Sequence, residues 1–433
     1  MGKLELHFQI LIAMIAGTLV GFSLYQLAEQ GVIATTIPQQ AATFGHGLGE
    51  LFLRLLKMVV VPLIITSLVT GVLGMGDLSR LGPVGGRTMA FYMGSSMLAI
   101  LTGLLMVNLI QPGMGADLEL LKTVSSGSTT PEIANSDKSL LMVLWEQFSG
   151  MIPTNPIAAA AESDMLPVIF FSLLFGTFLA KQTSPAGERF KESVGVGFDV
   201  MMQLTIQLIR LAPLGVFGYM VFAIASQGLQ IFNLLGRYML TVALALITHA
   251  VLTLPLLLWL MSKRSPLTFV KAMAPALLTA FSTASSNATL PLTMRSIQER
   301  AGVSKEASAF VLPLGATINM DGTALYEVVA VLFIAQLFGN DLSLAQQVAV
   351  ALTALLASIG AAGIPHAGTV MMVVVLDTVG LPTDTIALIL GVDRFLDMAR
   401  TTVNVWSDAT ATAIIDRTLG NQAQTPAIDT HSA

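Results

Sequence analysis

Ser282-Thr283-Ala284-Ser285-Ser286-Asn287-Ala288-Thr289, closed by Leu290-Pro291, is a run of small and polar residues inside an otherwise apolar stretch, 275–294. Proline has no backbone donor and breaks a helix, so the stretch predicts two short helical arms around that polar middle. A break facing lipid would leave backbone groups unpaired; it has to be buried in protein or line a wet cavity. The same design returns downstream. Arms at 348–357 and 369–376 flank Ser358-Ile359-Gly360-Ala361-Ala362-Gly363-Ile364-Pro365-His366-Ala367-Gly368. Each arm is too short to span a bilayer, which takes about 20 apolar residues, yet long enough to reach its middle.

A helix bearing polar groups follows each hairpin, one around Asn319 and one around Asp397. Hairpin plus helix, twice over in opposite orientation, is the inverted repeat of secondary transporters. Composition supplies the setting. Of 433 residues, 54% are apolar and only 11% charged, against about 25% charged in a soluble chain. An integral membrane protein of all-α class is expected. The net charge of -5 suggests no nucleic-acid partner, and with no cysteine there is neither a disulfide nor a thiolate metal site. The first apolar stretch shows no cleavage site and reads as a retained helix.

Apolar stretches place membrane helices near 8–28, 46–75, 87–111, 160–181, 195–226, 233–262, 305–338 and 383–415, with a polar linker at 112–150 and a polar, disordered tail at 418–433. If 266–297 and 344–380 are re-entrant, most basic residues, from Lys3 and Arg80 to Arg300, Lys305 and Arg417, share one side. Only Lys122, Lys138 and Arg237 fall on the other. The excess of basic residues marks the cytoplasmic face, so both termini are expected in the cytoplasm.

Two stretches concentrate charge where apolar residues are due. In the last helix, Asp393, Asp397, Arg400, Asn404 and Asp408 lie at about 0°, 40°, 340°, 20° and 60° on a helical wheel, with Thr401 at the edge of the stripe. Ionised groups at membrane depth face a cavity or partners and are functional candidates; the alternative is a structural pair between Asp397 and Arg400. In the preceding helix, Gly315-Ala316-Thr317-Ile318-Asn319-Met320-Asp321-Gly322-Thr323 puts polar groups on several faces. Locally unwound backbone there would turn carbonyl and side-chain oxygens inward, as hard cations require. The five histidines are scattered and no enzyme motif is present.

These segments resemble the dicarboxylate/amino acid:cation symporter family, the glutamate transporters and their bacterial homologues. The likeness is carried by Asn319-Met320-Asp321-Gly322-Thr323 with Ala324-Leu325-Tyr326-Glu327, by Ser285-Ser286-Asn287-Ala288-Thr289-Leu290-Pro291, by Ala362-Gly363-Ile364-Pro365, and by Asp397-Met398-Ala399-Arg400-Thr401-Thr402-Val403-Asn404-Val405. Leu53 to Pro62 and Pro153-Thr154-Asn155-Pro156 add to it. The resemblance implies a homotrimer in the inner membrane, with eight membrane helices and two re-entrant hairpins. Helices 1 and 2 (1–80) with 4 and 5 (150–226) would form a static scaffold. Helix 3 (87–111) and residues 233–417 would form a transport domain sliding as an elevator.

The same resemblance implies uptake of aspartate or glutamate coupled to Na+, H+ or both, with no further cofactor. Arg400 would hold the side-chain carboxylate, Asp397 the α-ammonium and Asn404 the α-carboxylate. Ser286, Thr323, Thr401, Ile364, Pro365 and Gly368 would complete the pocket. Gly315, Asn319, Asn404 and Asp408 would hold one sodium. Thr317, Ser358 and Ile359 would hold a second, and Asn319, Asp321, Tyr92, Ser95 and Ser96 a third. Glu327 matches a proton carrier of the mammalian members, while a sodium-only archaeal relative has glutamine there. Its alternative is an ion pair with Arg394 or Arg400. Departures from the family pattern are Asn287, Ala361, Trp406 and Ser407, and no arginine stands at Ala284 or Met398. A C4-dicarboxylate symporter is the first rival; Asp397 argues against it, because it would repel a substrate lacking an ammonium. An ion channel is more remote, and an enzyme weakest.

Overall fold

The computed structural model describes residues 6–74, 78–114, 145, 148–162, 164–228, 230–361 and 367–423. These are helices and short connections, with no strand among the described residues. The elements are α1 (Leu6–Glu29), α2 (Thr36–Gly74), α3 (Leu78–Ile110), α4 (Pro156–Glu162), α5 (Met165–Ala180), α6 (Pro185–Ile209), α7 (Ala212–Gln227) and α8 (Gln230–Thr248). The two hairpins follow, interleaved with a broken central helix: α9 (Pro266–Thr283), α10 (Ser286–Glu299), α11 (Lys305–Ile318), α12 (Asp321–Leu337), α13 (Leu344–Gly360), α14 (Ala367–Thr378) and α15 (Ile386–Ala423).

Five helical stretches are long and apolar enough to cross a membrane: Phe8–Glu29, Thr36–Leu73, Val84–Ile110, Asn233–Ser262 and Lys305–Leu337. The bent pair Pro185–Leu208 and Ala212–Ser226 makes up to six. Two of the eight expected crossings fall outside that count for opposite reasons. Leu166–Ala180 is apolar but short; α15 is long but carries the charged stripe.

The helices associate in two groups. α1, α2, α5, α6 and α7 pack chiefly on one another, and α3 packs chiefly with α8 to α15. In the first group α7 approaches closely because glycines face it. Side chains at Gly17, Gly21, Gly45 or Gly49 would run into α7, and one at Gly218 into the backbone of Gly45. Gly17 and Gly21, like Gly45 and Gly49, are spaced as the small-residue seams that join membrane helices. In the second group the central element is α12, buried at every residue. Its apolar surface is continuous because protein surrounds it on all sides.

The sequence expectations need three corrections. The stretch 195–226 is two helices bent by 45°, since Pro213, near the start of α7, interrupts the backbone ladder. The stretch 160–181 divides into α4 and α5. The first hairpin turns at Ala284-Ser285, within the polar run where the break was expected: Ala284 closes α9 in the left-handed region (φ 51°), the Ser285 side chain accepts the Ala288 N–H to start α10, and Pro291 lies inside α10. The final helix continues to Ala423, beyond the start of the expected tail. Most of the 112–150 linker, the second hairpin's tip at 362–366 (with Ile364 and Pro365) and 424–433 lie outside the described residues.

α8 has a local device of its own. It continues as a π-helical segment, His249–Thr253, a short α turn, Leu254–Leu257, and a second π segment, Leu258–Ser262. Pro255 sits where its ring would meet the carbonyl four residues back, and a π bulge relieves that clash. The distortion faces His249 inward and frees the Ala250 carbonyl, which accepts the Trp406 indole N–H at 3.1 Å.

Candidate functional site

The break between α11 and α12 leaves the first N–H groups of α12 without helical partners. Asn404, on α15, meets one: its Oδ1 accepts the Gly322 N–H at 2.7 Å, and its Nδ2 donates to Thr323 Oγ1 at 3.2 Å. Gly322 permits the approach, because a Cβ there would lie 2.5 Å from the Arg400 carbonyl oxygen. The helix break and the stripe on α15 thereby form one site.

Arg400 lies at its centre, 1% exposed. Nη2 donates to Asp397 Oδ1 at 2.8 Å, Nη1 lies 3.1 Å from Asp393 Oδ1, and the guanidinium stacks 3.7 Å from the centre of the Tyr326 ring. A second arginine, Arg394, lies 3.7 Å from the other Asp397 oxygen. Two buried cations therefore balance two buried carboxylates, the arrangement that limits the cost of charge away from water. The second hairpin reaches the same place. Thr369 donates to Asp393 Oδ2 at 2.6 Å, and a Cβ on Gly368 would lie 3.3 Å from Arg400 Nη1 and 3.1 Å from Thr323 Cγ2. Thr401 and Ser286 are buried, Ser286 at the start of α10. The pairing of Asp397 with Arg400 foreseen as a structural alternative is present, but as half of a four-residue cluster with Asp393 and Arg394.

Below it, oxygen-bearing groups gather around two carboxylates. Asp321 Oδ1 accepts from Ser96 at 2.6 Å and Ser95 at 3.2 Å; Oδ2 accepts from Ser407 at 2.7 Å and lies 3.1 Å from His249 Nε2. Asp408 Oδ1 accepts from Asn319 Nδ2 at 2.9 Å. Gly315 faces Asp408 and the Tyr92 hydroxyl without room for a Cβ, and Tyr92 donates to the Val311 carbonyl at 2.7 Å. The residues expected for the first and third cation sites are thus brought together as one connected network. For the second, Thr317 lies on α11 and Ser358 and Ile359 on α13, helices in contact, with Ile359 packed on the cluster of Val311, Leu314 and Ile318. Thr317 Oγ1 bonds the Leu314 carbonyl and Ser358 Oγ the Leu355 carbonyl. Ser358 and Ile359 are helical and not part of the tip. Among the described residues no group of three or more His, Cys, Asp or Glu could hold a metal. The oxygens here come instead from single carboxylates joined by hydroxyls, amides and carbonyls, which suits hard monovalent cations.

Glu327, fully buried on α12, has neither carboxylate oxygen in a hydrogen bond among the described residues. The ion pair with Arg394 or Arg400 considered from sequence is not formed; both arginines turn to aspartates.

Sequence reasoning placed Asp393 among the candidates of the stripe without a specific role, and assigned none to Tyr326, Thr369, Ser407 or His249. His249 looked scattered because its link to Asp321 depends on the π bulge at Pro255. Trp406, one of the departures from the family pattern, seats its ring against Phe269 at 5.7 Å.

An all-helical chain with several membrane-length apolar helices, paired hairpins and a buried charged pocket defines a multi-pass membrane transporter rather than an enzyme. The model of the sodium:dicarboxylate symporter family matches residues 6–418, and the chain belongs to that family. It is 34% identical over 417 residues to the proton/glutamate-aspartate symporter of Escherichia coli (strain K12), covering 95% of this chain and 92% of that one. Identity to the proton/sodium-glutamate symport protein of Geobacillus stearothermophilus is 34% over 423 residues, covering 96% and 95%. Excitatory amino acid transporter 3 of Mus musculus is 35% identical over 421 residues, covering 85% and 78%.

Proposed function

We propose that the chain takes up an acidic amino acid, aspartate or glutamate, in symport with sodium, protons or both. The observation that carries this reading is Arg400, buried among Asp397, Asp393, Thr323, Asn404 and Gly368. A guanidinium forks onto a carboxylate, and Asp397 beside it offers an anion to an ammonium, so one pocket matches both ends of an acidic amino acid. The names of the relatives, glutamate and aspartate symporters of bacteria and an excitatory amino acid transporter of mouse, support the same substrate class.

Arg400, Asp397, Asn404, Thr323, Thr401, Ser286 and the second hairpin around 364–368 bind substrate in this reading. The network of Tyr92, Ser95, Ser96, Gly315, Asn319, Asp321 and Asp408, with Thr317, Ser358 and Ile359, carries cations, and Glu327 carries a proton. The separate packing of α1, α2, α5, α6 and α7 supports a static scaffold. The remaining helices form the part that slides. Eight crossings, a homotrimer, an inner-membrane location and cytoplasmic termini complete the proposal.

Uptake of radiolabelled aspartate, glutamate and succinate into proteoliposomes, with sodium and proton gradients imposed separately, tests it. Aspartate or glutamate accumulation under either gradient supports the reading. Succinate accumulating as well as aspartate sinks it in favour of a C4-dicarboxylate symporter.

A further inference from the structure

Beside the Ser95 edge of the network around Asp321, a cavity of about 390 Å³ opens between α3, the π segment ending at Ser262 and the end of α15. It lies within the ~300–1,000 Å³ of small-molecule clefts. Ala90, Phe91, Gly94 and Leu98 form one wall and Leu257, Met261, Ile414 and Ile415 the others, so its interior is apolar. The cavity exists because α3 is small where α8 is distorted: a Cβ on Gly94 would meet nothing within 4 Å.

Two features identify what fits it. Leu98 and Met261 are 39% and 49% exposed within apolar stretches long enough to cross a membrane, so the cavity opens at an apolar surface. Its mouth is basic. Arg87 lines it, is exposed, and has no hydrogen bond or ion pair among the described residues. Arg417 lies alongside, donating to the carbonyl of the lining Met261 at 2.9 Å. No acid lines the cavity, and Asp416 nearby is held by Arg264 and the Ser304 N–H.

We propose that this cavity binds an anionic phospholipid of the surrounding leaflet, one acyl chain lying along Gly94 and the phosphate on Arg87. Basic pockets between membrane helices select anionic headgroups, and a guanidinium grips a phosphate through paired donors. A bilayer lipid is present at high local concentration, so mass action favours it over a dilute metabolite. The floor of the cavity is Ser95, whose hydroxyl donates to Asp321 at 3.2 Å. An acyl chain there braces the stretch of α3 that presents Ser95 and Ser96 to Asp321, and so supports the cation network.

The test uses the full-length protein in phosphatidylcholine nanodiscs with and without phosphatidylglycerol, counting retained lipids by native mass spectrometry. Sodium titration of aspartate binding is measured on the same samples. Gly94→Leu fills the cavity on a helix that tolerates leucine well, and Arg87→Gln removes the cation. Expected is retention of phosphatidylglycerol by the parent and several-fold less by each variant, with a sodium affinity that phosphatidylglycerol raises several-fold only in the parent. Equal retention of phosphatidylcholine and phosphatidylglycerol by the parent, or unchanged phosphatidylglycerol retention in both variants, overturns the proposal. The lipid count does not depend on transport, so it stands or falls apart from the substrate assignment.

Discussion

At the scale of single residues, Arg400 is the group whose loss should be felt most. Removing one member of a buried charge pair costs about 2–5 kcal/mol, much of it from the partner left behind. Arg400→Cys should therefore abolish acidic amino-acid uptake and lower thermal stability, because Asp393 and Asp397 lose their counter-charge. Adding Asp393→Asn should recover part of the stability and none of the uptake; aspartate uptake persisting in the single variant would remove Arg400 from the pocket. Glu327 calls for a different readout. A desolvated carboxyl without a partner is costly as an anion, and this one stands beside the pocket with both oxygens unbonded. Glu327→Gln should keep substrate binding and exchange while uptake stops responding to an inward proton gradient. A parent insensitive to that gradient at fixed sodium would leave Glu327 a structural residue.

At the scale of elements, the hairpins and the last helix were readable because their signals are local. Two runs of small and polar residues interrupt apolar arms, and one stripe repeats at helical spacing. What depends on how a helix deforms was not readable. Pro213 bends the α6–α7 pair inside an apolar run that scans as one helix, and His249 reaches Asp321 from the first residue of a π segment that precedes Pro255. At the first hairpin the polar run marked where the chain turns, and a left-handed Ala284 with the Ser285 cap sets the turn itself. Two experiments follow. Pro255→Ala should relax the bulge and draw His249 off Asp321, raising the sodium concentration needed for substrate binding; an unchanged sodium titration would separate the bulge from the cation network. Ala284→Gly should stabilise the protein by about 1 kcal/mol, because a left-handed conformation costs a Cβ-bearing residue that much. A lowered melting temperature would show that the alanine methyl is needed for packing.

At the scale of the whole molecule, the two packing groups also meet each other, one contact being Lys57 Nζ donating to Thr383 Oγ1 at 2.9 Å between α2 and the segment before α15. The natural chain has no cysteine, so Lys57→Cys with Thr383→Cys creates a single addressable pair. If the groups slide past each other, bridging that pair with a short thiol-reactive linker should stop uptake and reductive release of the linker should restore it. Full-rate uptake in the bridged protein would rule sliding out.

The two aspartates that clasp Arg400 have one more consequence. If Arg400 receives the substrate carboxylate, as proposed, that carboxylate does not meet a bare guanidinium but competes with the aspartates already on its Nη donors, so binding is in part a swap of one anion for another. The affinity is then the difference between two similar interactions and stays modest even though each is strong. The displaced aspartate is also free to return and evict the cargo. A carrier built this way holds its own competitor within reach, and so can recognise its passenger tightly enough to select it and loosely enough to let it go.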